Sequence, residues 1–299
     1  QNCDLLISIG SRLSIPLIGR NTGAFARAAR KVVVDIDPNE LEKPTIKPDL
    51  PIALDAGQFI RECLSLLPAS LPSCAPWIER CREWRLKFPP DSYTGPSLPP
   101  DPPENGLIYP LSVLRILSAE LGENDVVVAD GGATLIYTLL AFRIKSGQRL
   151  ISSTGLELPG FALAGAIGAC VATDRKPVVC LCEDRGFQIG IQDLQTILDY
   201  RLPIKVLIFK SKGHSIIRNI QRDYFGGRFV GTDHEIRLGS APLIKIAKAF
   251  GFPTFEVTHA GQLPATLREW LKMAGPAVCE IEVEADQDKI PRPGFIIRD

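Results

Sequence analysis

Apolar strands alternate with helices from Tyr109 onward, and this alternation constrains the fold more than any other feature of the sequence. Short β-rich runs such as VVVAD and VVCLC are each followed by a stretch of helical pattern. We expect helices at 110–121, 133–142, 160–172, 188–200, 241–250 and 261–273, and strands at 125–129, 149–153, 177–182, 204–209, 254–258 and 277–283. Such alternation predicts a doubly wound parallel α/β sheet, in which ligands bind beyond the carboxyl ends of the strands.

The first part of the chain has a similar but shorter pattern. Strands are expected at 4–9, 32–37 and 50–54, with helices at 22–29 and 57–67, which predicts consecutive parallel strands. Pro and Ser then accumulate on either side of a short charged helix at 77–87, so residues 69–107 are interpreted as a linker. Gln1 opens almost directly onto a strand, and we expect the chain to begin inside a larger protein.

The composition excludes several classes of protein. Lys plus Arg and Asp plus Glu both total 34, so no overall charge recruits nucleic acid or an anionic membrane. The longest small and apolar run, 161–172, is too short to cross a bilayer. The 8 cysteines include no CxxC pair at zinc-ligand spacing, and Cys180 and Cys182 share one face of a core strand. We therefore expect a soluble, cytoplasmic protein with reduced thiols.

Four strand ends carry polar or Gly-rich turns, at 129–132, 153–155, 183–186 and 210–214. Glycines in such turns allow positive φ and leave backbone N–H groups free to bind phosphate oxygens. One helix and one strand separate Asp184 from Ser211, so neighbouring parallel strands would bring both side chains to one edge of the sheet. A carboxylate, a neutral oxygen and a backbone carbonyl suit Mg²⁺ that also holds a diphosphate.

The segments EDRGFQIGIQDL (183–194) and LPIKVLIFKSKGHSIIR (202–218) resemble the cofactor signature of thiamine-diphosphate-dependent enzymes, with the acetolactate synthase group as the nearest match. GFALAGAIGA (160–169) is similar to the family's helix beside the thiazolium. VVVDIDP (32–38) is similar to the end of its central domain. The resemblance covers the whole chain.

The resemblance implies the domain organisation and the reaction. Residues 1–68 would be the carboxyl-terminal part of a Rossmann-like central domain, and 108–299 a thiamine-diphosphate-binding domain. The implied chemistry is decarboxylation of a 2-keto acid followed by carboligation, with thiamine diphosphate and Mg²⁺ as cofactors. It also implies a homodimer or tetramer, or a partner chain with the amino-terminal domain whose glutamate activates the aminopyrimidine in the family.

The resemblance also implies site residues, although no catalytic residue can be assigned from it. The Mg²⁺ ligands would be the Asp184 carboxylate, the Ser211 side chain and the Gly213 carbonyl. The cofactor-binding residues would be Asp130, Gly132, Gly155, Gly160, Asp184, Arg185, Gly186, Lys210, Gly213 and His214.

Both halves of the metal signature depart from the family. Glu183 and Arg185 stand where the family has Gly, and Lys210 and Ser211 stand where it has two Asn residues. Three hypotheses follow. In the first, Arg185, Lys210 and Lys212 neutralise the diphosphate in a functional site. In the second, residues 183–185 and Lys210 pair with one another, and an inactive homologue serves as a scaffold or regulatory partner. In the third, the site takes another phosphate ligand, or decay or an imperfect gene model has altered the sequence.

Overall fold

The computed structural model describes residues 3–19, 21–68, 70, 73–87, 106–156, 158–211, 215–232 and 241–284. These residues divide into two units, one up to Lys87 and the other from Gly106 on. The linker predicted at 69–107 lies in part outside the described residues, and its boundaries stay a prediction.

The first unit contains a parallel sheet in the order β1-β2-β3. Its strands are β1 (Leu5–Ile9), β2 (Arg30–Asp35) and β3 (Leu50–Ala53), and its helices are α1 (Ile15–Ile18), α2 (Pro38–Glu42), α3 (Ala56–Leu66) and α4 (Ala75–Lys87). The helix predicted at 22–29 is wrong: a 3-10 turn at Thr22–Ala24 replaces it. Ala26 has a φ of 46°, which lies in the left-handed region and ends any helix there.

The second unit contains a parallel sheet in the order β5-β4-β6-β7-β9-β8, which confirms the predicted doubly wound α/β fold. Its strands are β4 (Val126–Ala129), β5 (Arg149–Ile151), β6 (Val178–Glu183), β7 (Ile204–Lys210), β8 (Thr254–Val257) and β9 (Ala277–Glu282). Its helices are α5 (Pro110–Glu120), α6 (Ala133–Ala141), α7 (Phe161–Ala172), α8 (Asp184–Ile189), α9 (Asp193–Asp199), α10 (Ser215–Tyr224), α11 (Leu243–Phe250) and α12 (Leu263–Lys272).

Helices cover both faces of the six-stranded sheet. Side chains of α5, α6 and α12 form one core with alternate strand residues, and Trp270 is its largest fully buried member. Side chains of α7, α9 and α11 form the other core, which includes Cys180 and Cys182 as predicted. Because strand side chains alternate between faces, each buried strand contributes to both cores.

The chain crosses to opposite faces of the sheet after β4 and after β6. It enters α6 after β4 and α8 after β6, and β5 and β6 lie on opposite sides of β4. We call the region beyond the carboxyl ends of β4 and β6 the crevice, because doubly wound sheets bind ligands at this position.

The helix predicted at 188–200 is two helices, and the turn predicted at 183–186 is largely helical. α8 starts immediately after β6 and ends at Gly190, whose N–H donates to the Gly186 carbonyl. A Cβ on Gly190 would lie 3.0 Å from Leu163 Cδ1, so only a residue without a side chain lets this backbone approach α7. Asp184 in the first turn of α8 favours this early start, since a carboxylate stabilises a helix N-terminus.

Candidate functional site

Two buried aspartates flank the crevice. Asp130 follows β4 and is 2 % exposed, while Asp184 follows β6 and is 4 % exposed. The register that pairs Ala129 with Leu181 continues one step further, where the Asp130 N–H donates to the Leu181 carbonyl at 2.9 Å. The predicted site residues Asp130 and Asp184 therefore lie at the carboxyl ends of neighbouring strands.

Asp130 holds the start of α7. Its Oδ2 accepts a hydrogen bond from the Gly160 N–H at 3.0 Å, and its Oδ1 accepts one from the Ala162 N–H at 3.4 Å. Burial raises the pKa of Asp130, although these and neighbouring backbone N–H groups oppose the shift. Gly160 was predicted as the first residue of a helix, but it precedes α7 with a φ of 89°, and a Cβ there would lie 2.6 Å from Ile189 Cγ2.

Gly186 packs directly against the same carboxylate. A Cβ on Gly186 would lie 1.8 Å from Asp130 Oδ2 and 3.4 Å from the Gly160 nitrogen. We call this arrangement the Asp130–Gly160–Gly186 clamp, because it ties together the segments that follow β4, β5 and β6. The clamp brings three of the predicted cofactor-binding residues into contact.

Asp184 is the less saturated of the two aspartates. Its Oδ1 accepts the N–H of Arg185 at 2.9 Å. Burial raises the pKa of Asp184, and the negative charge of Glu280 raises it further. The Arg185 N–H and the positive charges of Arg185 and Lys210 oppose this rise. Arg185 lies within α8 and has no positive φ, so the backbone strain that a side chain in place of Gly would cause does not arise.

Lys210 turns away from the acidic pair at 183–184. Its Nζ lies 2.7 Å from Glu280 Oε1 in an ion pair between β7 and β9, and this hydrogen bond raises the pKa of Lys210. Among the described residues, the ion pair of Lys210 is therefore with Glu280 rather than with residues 183–185. The reason is the strand order, which places β9 next to β7 and puts Glu280 on the same face as Lys210.

Ser211 follows β7, the strand next to β6, and is 5 % exposed. It lines a cavity of about 10 Å³, which is room for about one water molecule. Besides Ser211, the lining residues with polar groups are Thr134, Tyr137, Glu183 and Glu284. The apolar lining residues are Pro110, Phe209 and Val283.

Three buried hydroxyls without a hydrogen-bond partner among the described residues lie along this edge. They are Thr134 Oγ1 in the first turn of α6, and Ser152 Oγ and Ser153 Oγ just after β5. Unpaired buried hydroxyls are costly, and a polar ligand or water usually satisfies them. Of the three, only Ser153 belonged to a turn singled out in the sequence, and Thr134 carried no signal because a threonine in a helix is ordinary.

The other predicted glycines differ from one another. Gly132 caps α6 with a φ of 78°, as expected. Gly155 has no positive φ, and a Cβ added to it would meet no atom within 4 Å, so no close approach requires a glycine there. Gly213 and His214 lie outside the described residues, as does Lys212.

The oxygen chemistry of this edge fits a diphosphate held by Mg²⁺. Asp184 supplies a carboxylate and Ser211 a hydroxyl, and the unpaired hydroxyls are suitable donors to phosphate oxygens. Among the described residues, no group of three or more His, Cys, Asp or Glu side chains is arranged to hold a metal by itself. Separately, no helix in the described part of the chain is long and apolar enough to span a membrane.

Several acetolactate synthase large subunits are similar to this chain. An acetolactate synthase large subunit from Pyropia yezoensis is 29 % identical over 298 residues, covering 97 % of this chain and 48 % of the relative. The acetolactate synthase large subunit of Porphyra purpurea is 30 % identical over 295 residues, with coverages of 97 % and 48 %. The acetolactate synthase isozyme 1 large subunit of Escherichia coli K12 is 25 % identical over 292 residues, with coverages of 97 % and 49 %. The chain thus spans about half the length of these relatives.

A family model described as thiamine pyrophosphate enzyme, C-terminal TPP binding domain, matches residues 130–281. This match begins at Asp130, ends in β9 and includes the clamp, Asp184 and Ser211. It covers more than half of the 299 residues. The chain therefore belongs to the thiamine pyrophosphate (thiamine diphosphate) enzymes, as an acetolactate synthase-like member that carries their C-terminal cofactor-binding domain.

Proposed function

We propose that the domain binds thiamine diphosphate and Mg²⁺ at the crevice between β4 and β6, as part of an acetolactate synthase-like enzyme. The observation that carries this proposal is the set of three unpaired buried hydroxyls, Thr134, Ser152 and Ser153, at the same sheet edge as Asp184. Polar atoms buried without partners at a topological switch point favour a ligand with many hydrogen-bonding oxygens.

The residues divide into those that hold the ligand and those that hold the backbone. The Asp184 carboxylate and the Ser211 hydroxyl would bind the metal, and by resemblance the Gly213 carbonyl would join them. Asp130 acts on the protein itself, because its carboxylate already accepts the N–H groups at the start of α7. When bound, the cofactor would supply the stabilised carbanion equivalent that 2-keto acid decarboxylation and carboligation require.

The activity, substrate and assembly belong to the whole protein. The relatives are named as large subunits, and this chain spans about half of their length. We infer that the whole protein acts on a 2-keto acid, and that it assembles as a homodimer or tetramer, or with a chain that carries an amino-terminal domain. A balanced charge and eight free cysteines fit a cytoplasmic protein that binds no nucleic acid.

An inactive homologue that acts as a scaffold or regulatory partner is the second candidate. The ion pair of Lys210 with Glu280 favours it, because this cation would have to leave a buried carboxylate in order to neutralise a diphosphate. Glu183 at the Ser211 cavity favours it too, since a second carboxylate repels an anionic ligand.

Titration of the protein with thiamine diphosphate, with and without Mg²⁺, tests the proposal. Calorimetry and the cofactor-induced rise in Tm should both report Mg²⁺-dependent binding, and Asp184→Asn should abolish the Mg²⁺ dependence. Asp199→Asn is the matched control, because Asp199 is an exposed helix residue that accepts a hydrogen bond from Gln195. Absence of binding at millimolar cofactor would reject the proposal and leave the inactive homologue.

A further inference from the structure

Glu183 is an acidic residue at a position where the proposed ligand, an anion, would bind. It is the last residue of β6, immediately before Asp184. Alternation along β6 places Glu183 on the same face as Leu181, towards α6, whereas Cys182 belongs to the opposite core. The side chains of Glu183, Ser211 and Thr134 accordingly line one cavity.

The size of this cavity limits what can reach Ser211 and Thr134. Its volume of about 10 Å³ holds about one water molecule. A diphosphate has two phosphoryl groups and cannot enter such a space unless a wall moves. Two charged residues line the cavity, Glu183 and Glu284. The backbone of Glu284 is fixed, because its N–H donates to the Ile108 carbonyl at 2.8 Å. Glu183 lies at the end of a strand, and its long side chain is half-buried. A substitution of Glu183 can therefore remove this part of the cavity lining.

The charges around the cavity disfavour a bound diphosphate, as the small volume of the cavity does. Glu183 and Glu284 both line it, and Asp184 follows Glu183 directly. A diphosphate at Ser211 would lie beside carboxylates, and like charges at close range near a protein surface repel one another.

We propose that Glu183 sets the affinity of this crevice for diphosphate, by occupying the space in front of Ser211 and Thr134 and by repelling the anion. This inference rests on the proposed function, which places the cofactor diphosphate at the same edge. It also states the direction of the effect: shortening or neutralising Glu183 tightens binding, whereas loss of a metal ligand weakens it.

Two substitutions separate the contributions of charge and volume. Glu183→Gln keeps the length of the side chain and removes the charge, and Glu183→Gly removes both. We expect Glu183→Gln to lower the Kd for Mg²⁺-pyrophosphate by about tenfold, and Glu183→Gly to lower it further. Glu183→Ala replaces the glycine variant if that variant does not fold, because Glu183 has an extended φ of −85° that alanine adopts without strain. Glu123, an exposed loop residue away from the crevice, supplies the control variants Glu123→Gln and Glu123→Gly.

The measurement is calorimetric titration of the intact protein with inorganic pyrophosphate and with thiamine diphosphate, each in Mg²⁺, supported by the rise in Tm. Tighter binding by the Glu183 variants, with no change in the Glu123 variants, supports the inference. Binding by wild type that the Glu183 variants leave unchanged or weaken overturns the inference and retains the proposed function. Binding by the Glu183 variants alone supports the inference and assigns the wild-type protein to the inactive homologues. If neither the wild type nor any variant binds at millimolar ligand, both proposals are rejected.

Discussion

Gly186→Ala should destabilise the cofactor-binding domain far more than a glycine-to-alanine change in a helix normally does. Gly186 lies inside α8, where alanine would ordinarily stabilise the helix by about 1 kcal/mol. Here the new Cβ would lie 1.8 Å from Asp130 Oδ2 and 3.0 Å from Asp130 Cγ. The carboxylate therefore has to move, or α8 has to shift away from β4.

The cost follows from what the Asp130 carboxylate holds. Its movement breaks the hydrogen bonds from the Gly160 and Ala162 N–H groups, at 3.0 and 3.4 Å. Hydrogen bonds to a charged group contribute about 1.5–3 kcal/mol each, so the loss is about 3–6 kcal/mol. After the gain in helix propensity, the net loss in unfolding free energy is about 2–5 kcal/mol, which corresponds to a fall in Tm of about 4–20 °C.

A double-mutant cycle isolates the contact between Gly186 and Asp130. In an Asp130→Ala background the clashing oxygen is absent, so Gly186→Ala should be nearly neutral, and the coupling free energy should be about 3 kcal/mol. Gly168→Ala is the control, because Gly168 is an exposed residue of α7 with no atom within 4 Å of an added Cβ. Denaturant unfolding followed by circular dichroism measures all four corners of the cycle. Equal stability losses from Gly186→Ala in both backgrounds would refute the reasoning.

Three further predictions concern charged residues of the same sheet. Burial raises the pKa of Asp184, so the charged carboxylate destabilises the folded protein above the folded-state pKa. Asp184→Asn should therefore raise the Tm at neutral pH but not near about pH 3. Removing Lys210 leaves the buried Glu280 uncompensated, so Lys210→Met should cost about 2–4 kcal/mol of unfolding free energy, and adding Glu280→Gln should restore most of it. Burial lowers the pKa of Lys205 from 10.5 to about 8, so the unfolded chain binds more protons between these values. Wild-type stability relative to Lys205→Met should therefore rise with pH, by about 2 kcal/mol between about pH 8 and about pH 10, in paired denaturant titrations.

The fold was predictable because its signal is local. The strands β4 and β6 are almost entirely apolar runs, and burial on both faces of a parallel sheet favours such runs. The positive φ of Gly132 followed from its place in a Gly-rich turn before a helix, whereas that of Gly160, expected inside a helix, did not. The helix boundaries around Gly190 did not follow, because they depend on a close approach to Leu163, which lies on another helix.

The candidate site was predictable in location and less so in its contacts. The positions of Asp130 and Asp184 followed from strand ends, which the sequence marks clearly. The partner of Lys210 did not, because Glu280 is 70 residues away and lies beside it only through the strand order of the sheet. The unpaired hydroxyls of Ser152 and Ser153 were equally hidden, since burial of an individual atom depends on the packing of the whole edge.

The clamp separates the stability of the crevice from its chemistry. Asp130 accepts backbone N–H groups at the start of α7, whereas Asp184 accepts the N–H of Arg185 and burial raises its pKa. A lineage can therefore alter the residues at 183, 185 and 211 without breaking the clamp, whereas a change of Lys210 removes its ion pair with Glu280. A protein whose ligand binding has weakened therefore keeps its folded domain. A few substitutions in that domain can restore binding.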